Sequence, residues 1–133
     1  MYAYVYNQST ESVALEADVT FDSNGPISAG ITHQPGTAGI VLTEAGTYEV
    51  SFSVSGTEPN QIALFDGSVA VPGAIYGSGA GTQQNNGQVI FTASAGDTLT
   101  IRNHTSTAAV SLDTPIGGGA ASVNASVVIQ KLN

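Results

Sequence analysis

Apolar and polar residues alternate with a period of two along most of the chain, the pattern of strands with one face on a core and one in water. It is clearest over residues 47–55, where Tyr48, Val50, Phe52 and Val54 fall on one side and Thr47, Glu49, Ser51, Ser53 and Ser55 on the other. Val13, Leu15, Ala17, Val19 and Phe21 keep the same alternation, so 13–21 is expected to be extended although ESVALEAD contains good helix formers. No window of ten or more residues free of Gly and Pro carries an i, i+3, i+4 apolar stripe, which argues against amphipathic helices. Three segments are apolar on both parities: Ile40-Val41-Leu42, Val89-Ile90-Phe91 and Val127-Val128-Ile129. A strand of that kind is expected to be buried on both faces, and in a two-layer β domain the second cover would come from a neighbouring subunit.

Turn signals punctuate these segments at close spacing: Asn24-Gly25-Pro26, Pro35-Gly36, Ala45-Gly46, Asp66-Gly67, Pro72-Gly73, Asn86-Gly87 and Gly96-Asp97. Short strands with such punctuation predict an all-β sandwich or barrel. The Gly/Ser/Gln/Asn-rich stretch 77–86 and Gly117-Gly118-Gly119 are too short for interdomain linkers, so residues 1–133 are expected to form one domain. No internal repeat points to a propeller or solenoid.

Charge narrows the possible partners. Ten acidic side chains face only Arg102 and Lys131, giving a net charge of -8, so binding to nucleic acid or to an acidic membrane surface is not expected. No apolar stretch reaches membrane-spanning length, and Met1–Tyr6 lacks the basic start and apolar run of a signal peptide. Charged residues make up 9% of the chain, against about 25% in an ordinary soluble domain, and mean hydropathy is +0.13. So few ions to cover a monomer's surface favour an apolar subunit interface over a surface built of Ser, Thr, Asn and Gly.

Candidate chemistry is sparse. His33 and His104 stand in no metal-ligand spacing, and convergence of either with Asp97 or Asp113 is not encoded in any motif. There is no Cys, no nucleophile elbow and no phosphate-binding loop. Neither an enzyme nor a cofactor is predicted. Asp22-Ser23-Asn24-Gly25 resembles the start of a calcium loop without its closing Glu. Asp22, Glu58, Asp66 and Asp97 are read as solvated turn formers and no metal site is assigned. Three glycosylation sequons start at Asn7, Asn103 and Asn124, the last inside an apolar strand pattern.

Tyr2, Tyr4 and Tyr6, the Gly46/Tyr48 step, Gly96-Asp97 followed by Leu99 and Ile101, and the closing Val127-Val128-Ile129 occur in the order found in the complement first-component q-type globular head, which the chain resembles. More specifically, NGPISAGITHQPGT, EPNQIALF, VPGAIYGSGAGTQQNNGQ and NASVVIQKL are similar to the C-terminal domain of the Bacillus collagen-like exosporium glycoprotein family over essentially the whole chain. One departure is the aliphatic last strand, where the complement heads carry aromatic residues. The resemblance implies a ten-strand jelly-roll sandwich of the tumour-necrosis-factor type. It also implies a structural, non-enzymatic homotrimer at the end of a collagen-like stalk, exposed as an antigen on the spore exosporium. The stalk would lie outside this chain, which has no Gly at every third position. Tyr4, Tyr6, Val89, Phe91, Val127 and Ile129 are then the trimer-interface candidates, each with intramolecular core as its alternative. The second functional reading is an adhesin or lectin-like module that binds host surface proteins or glycans.

Overall fold

Strong β formers and frequent Gly and Pro leave no helix in the computed structural model, which describes residues 1–133. In chain order the strands are β1 (Tyr2–Asn7), β2 (Glu11–Val13), β3 (Ser23–Ile27), β4 (Ile31–Thr32), β5 (Ile40–Leu42), β6 (Gly46–Val54), β7 (Asn60–Asp66), β8 (Val69–Ser78), β9 (Asn85–Ala93), β10 (Asp97–Asn103), β11 (Val110–Leu112) and β12 (Ala125–Lys131). Two five-stranded sheets form, ordered β3-β1-β12-β6-β9 and β4-β5-β10-β7-β8, with β11-β2 as a separate pair. The ten strands of the two sheets are the expected jelly roll, and the short pair makes the count twelve.

The alternation read over 47–55 is β6, with Tyr48, Val50, Phe52 and Val54 buried. Leu42, Ile62, Leu64, Leu99 and Ile101 from the facing sheet close the same core. Both ends of the chain lie at one end of the sandwich, where Met1 O accepts a hydrogen bond from Lys131 N at 2.9 Å and Asn133 O accepts one from Thr47 N at 3.1 Å. Turns 43–45, 67–68 and 94–96 are at that end. Loops 8–10, 55–59, 79–84, 104–109 and 113–124 are at the other.

Four sequence expectations are corrected. Residues 13–21 do not run straight: the chain turns at Leu15-Glu16, with Ala17 N bonded to Ala14 O at 3.0 Å and Glu16 at φ 62°. Leu15 therefore faces solvent. Asn24-Gly25-Pro26 lies within edge strand β3, where a proline costs no ladder bond. Pro72-Gly73 lies within β8, whose pairing with β7 shifts register. Asn86-Gly87 sits inside β9 opposite Ser53 and Phe52, because the Phe52 ring occupies the space a side chain at 87 would need.

Candidate functional site

The widest feature without an intrachain cover is the outward face of the β3-β1-β12-β6-β9 sheet. Strand register sets its side chains in three rows: Tyr2, Gln130, Glu49 and Ile90; Tyr4, Val128, Ser51 and Gln88; Tyr6, Ser126, Ser53 and Asn86. Glu49 is the one formally charged residue among them. Tyr2, Val128 and Ile90 are 55%, 48% and 61% exposed, which for apolar side chains on one continuous sheet face is unusual in a lone domain. The Tyr4 and Tyr6 rings stack with centroids 5.2 Å apart, and Tyr4 leans over Gly25, whose missing Cβ leaves it room.

Of the six residues expected at an interface, only Tyr4 and Tyr6 lie on this face. Val127 and Ile129 are 1% and 0% exposed in the intramolecular core and have no surface to offer a second chain. Val89 and Phe91 point inward too, half-buried against that core. The three doubly apolar triplets resolve the same way: the flanking residues face in, while Val41, Ile90 and Val128 lie on the other face. When all three residues of a triplet are apolar, sequence parity cannot say which is outside, and strand register decides it.

The β8/β9 edge borders this face. Phe52 meets Tyr76 edge-on, with centroids 5.8 Å apart, and Tyr76 donates its hydroxyl to Gln88 O at 2.6 Å. Towards the chain termini the edge opens into a groove between Val69, Pro72, Ile90 and Phe91, with Asp66 and Asp97 at its end. Burial, then the facing Asp97, push the Asp66 carboxyl up to about 6.

On the outside of the second sheet, Phe65 is capped by the Arg102 guanidinium, 3.9 Å from its ring centre, and by the edge of His104. Arg102 pairs with Asp18 at 2.9 Å. Glu16 accepts from Thr105 N at 2.8 Å and contacts His104 Nδ1 at 2.6 Å; the Thr105 bond foremost holds its carboxyl below the usual range. His33 is buried, its ring nitrogens facing Asn24 Oδ1 and Thr37 O. Neither histidine meets Asp97 or Asp113. The carboxylates weighed for calcium do not converge: Asp22 and Glu58 belong to the loop end, Asp66 and Asp97 to the terminal end. Asp22 and Glu58 accept hydrogen bonds from Ser9 and Ser111 respectively, and no group of three metal-ligating side chains forms.

Sequence reasoning missed a set of buried asparagines at the loop end. Asn7 and Asn124 bond to each other at 2.9 Å, and Asn124 also donates to Ser9 O at 3.0 Å. Asn60 and Asn85 form a second pair at 2.9 Å. Asn103 Nδ2 reaches Val13 O at 3.0 Å and Ala108 O at 3.2 Å. Every sequon asparagine is in this set, 0–3% exposed, so its amide is committed to tying loops together and is closed to glycan attachment in the folded chain.

The family model described as BclA C-terminal domain matches residues 3–133. Among solved structures, the globular domain of zebrafish complement 1qA protein superposes with a TM-score of 0.75 at 15% identity, covering 99% of this chain and 97% of that one. The Eiger TNF of S. frugiperda gives 0.71 at 13% identity, covering 100% and 92%, and murine APRIL 0.59 at 12%, covering 98% of each. At these identities the structures establish the jelly-roll fold. No curated protein sequence matches the chain.

Proposed function

We propose, from the premise that this chain belongs to the BclA C-terminal domain family, that it is a structural, non-enzymatic head that associates as a homotrimer at the end of a collagen-like stalk and is displayed on the spore exosporium. The observation that carries the trimer is the outward face of the β3-β1-β12-β6-β9 sheet, with exposed Tyr2, Val128 and Ile90, the Tyr4/Tyr6 stack, and Glu49 as its only charge. Covering such a face gains ~25 cal/mol per Å² of apolar surface, and the tyrosine hydroxyls still reach water at the rim. The exposed β8/β9 edge, with Val69, Ile75 and Ile90, offers the complementary surface. A face meeting an edge is a heterologous contact, which closes into a three-membered ring when successive copies are related by a third of a turn. The engagement of His33 and His104 by Asn24, Thr37 and Glu16 supports the non-enzymatic part of the reading.

Light scattering on the eluting protein tests it. The expected mass is three times the 13.4 kDa chain across a wide concentration range. Val128→Lys places an ammonium in the middle of the covered face, so that variant should elute as a single chain with an unchanged far-ultraviolet spectrum. A single-chain mass for the unmodified protein at all concentrations would remove the trimer.

A further inference from the structure

Beyond the trimer face, the loop end carries a cleft of about 260 Å³ formed by residues 59–61, Ser78 and residues 105–107. Apart from the Pro59 ring its side chains are hydroxyls and amides, and none is charged. Its floor is fixed internally. Asn60 donates to Glu58 O at 2.9 Å and accepts from Asn85, while Ser106 Oγ accepts from Gln61 N at 2.9 Å. Its rim is exposed: Gln61, Thr105 and Thr107 face solvent, and Thr105 Oγ1 lies 2.6 Å from both Gln61 Oε1 and His104 O, which compete for its one proton, while the Gln61 amide nitrogen is the remaining donor of that side chain.

The rim is also strained. Thr105, a β-branched residue, has φ 58°, and Glu16, whose carboxylate holds Thr105 N–H, has φ 62°. Side chains of that kind rarely adopt left-handed backbone unless the surroundings impose it, and such positions concentrate at binding sites. Here the Glu16 contact fixes loop 104–107 in the shape that completes the cleft wall.

We infer that this cleft is a binding site for a neutral saccharide, one ring at a time. Sugar hydroxyls donate and accept as the rim groups do, and the Pro59 ring offers a small apolar surface for a C–H face. The volume is just under the roughly 300 to 1,000 Å³ of pockets for larger ligands. An anionic sugar finds no partner: Arg102 is paired with Asp18, Lys131 is at the opposite end, and Glu16 and Glu58, both with lowered carboxyl pKa, flank the cleft. A peptide side chain finds neither an apolar subpocket nor a countercharge.

The test is a ¹⁵N-resolved titration of the intact chain with methyl glycosides of neutral hexoses and N-acetylhexosamines, against methyl glucuronide. A neutral glycoside should give saturable shifts at the Gln61 side-chain amide, Ser78 and residues 105–107, with Kd of order ~1–10 mM. The glucuronide should give none. Gln61→Ala combined with Thr107→Val removes two exposed hydrogen-bonding groups and should weaken binding ~5- to 30-fold while leaving the rest of the spectrum and the molar mass unchanged. No saturable shift with any neutral glycoside, equal shifts with the glucuronide, or undiminished binding by the double variant would each overturn the assignment. Because molar mass is read separately, loss of sugar binding and failure of assembly are distinct outcomes.

Discussion

Adding one methyl group at Gly87 sets two physical effects against each other. In an open strand Gly→Ala stabilises by about 0.5–1 kcal/mol, because the unfolded chain loses freedom. At Gly87 the new Cβ would lie 2.5 Å and 2.7 Å from Cε2 and Cε1 of Phe52, and closer still to Cζ. The Phe52 ring is 3% exposed and backs onto Tyr76, whose hydroxyl bonds Gln88 O, so it can yield only by displacing Tyr76 or by leaving the core for the open pocket that Phe52, Tyr76 and Gly87 line together. Overpacking of this kind costs about 1–3 kcal/mol, a lost Tyr76 hydrogen bond adds about 1, and full expulsion of the ring would approach the 3–5 of Phe→Ala. Gly87→Ala is therefore expected to destabilise by about 2–4 kcal/mol, read as a drop in urea midpoint followed by tyrosine fluorescence. Protein concentration must be held fixed, since assembly is linked to folding. In a Phe52→Val background the ring is gone and the same substitution should be neutral or stabilising. Stabilisation by Gly87→Ala in the native background, or an equal loss in both backgrounds, would refute a ring packed on that glycine.

Asp66→Asn should stabilise the protein by about 1 kcal/mol at pH 7, a modest gain because the group is partly exposed and its charge is screened. The sign follows from a folded pKa of about 6 against an ordinary value of 3.8: above pH 6 the ionised group disfavours the fold, and below about pH 4 it is protonated in both states. Urea midpoints of the two proteins should therefore converge on acidification, and parallel curves from pH 4 to 7 would contradict the raised value. Asn103→Leu strands the buried carbonyl of Val13 and removes the donor from the partly buried carbonyl of Ala108, and should cost about 1–3 kcal/mol; a loss under 0.5 kcal/mol would mean that water replaces the amide. Native protein should survive trypsin, since Arg102 is held by Asp18 and Phe65 within β10 and Lys131 ends a central strand; gel analysis showing early cleavage after Arg102 would count against this.

Where one parity is apolar and the other polar, sequence and structure agree, as along β6, because only one register buries the apolar set. Where both parities are apolar the sequence is degenerate. Val127 and Ile129 are core, and Val128 lies on the surface, only because β12 is wedged between β1 and β6 in a register fixed by residues far away in the chain. Asn86-Gly87 reads locally as a hairpin turn and is a mid-strand vacancy for a ring 35 residues earlier, which no local rule encodes. The asparagine pairs were equally hidden, since Asn7 and Asn124 are 117 positions apart. The tyrosine alternation of β1 was legible and put Tyr2, Tyr4 and Tyr6 on one face, but that this face is the outward one follows from the pairing with β12 and the burial of Ala3 and Val5. The cleft at 59–61, 78 and 105–107 had no sequence signal beyond the ordinary Ser/Thr abundance of loops.

The two ends of the sandwich differ in how their loops are held, and this sets opposite responses to acid. At the loop end, neutral asparagine amides make the deep contacts, which neither salt nor protonation weakens. Carboxylates make the shallower ones: Glu16 on Thr105 and Glu58 on Ser111, both with lowered carboxyl pKa. A lowered folded pKa means stability that is present above the ordinary carboxylate range and lost as pH falls through the folded value. Asp66, at the terminal end, has a raised pKa and gains on acidification, as does half-buried Glu11 in β2, so the loosening at the loop end is confined to the Glu16 and Glu58 contacts. Between pH 7 and 4 the terminal end therefore tightens. Below that range loop 104–107 loosens while the asparagine-tied core of the loop end stays closed. Amide exchange at Thr105 and Ser111 should accelerate at acid pH, after correction for intrinsic rates, with no change at Asn103 or Asn124. Uniform acceleration across all four would place the acid response in global unfolding instead.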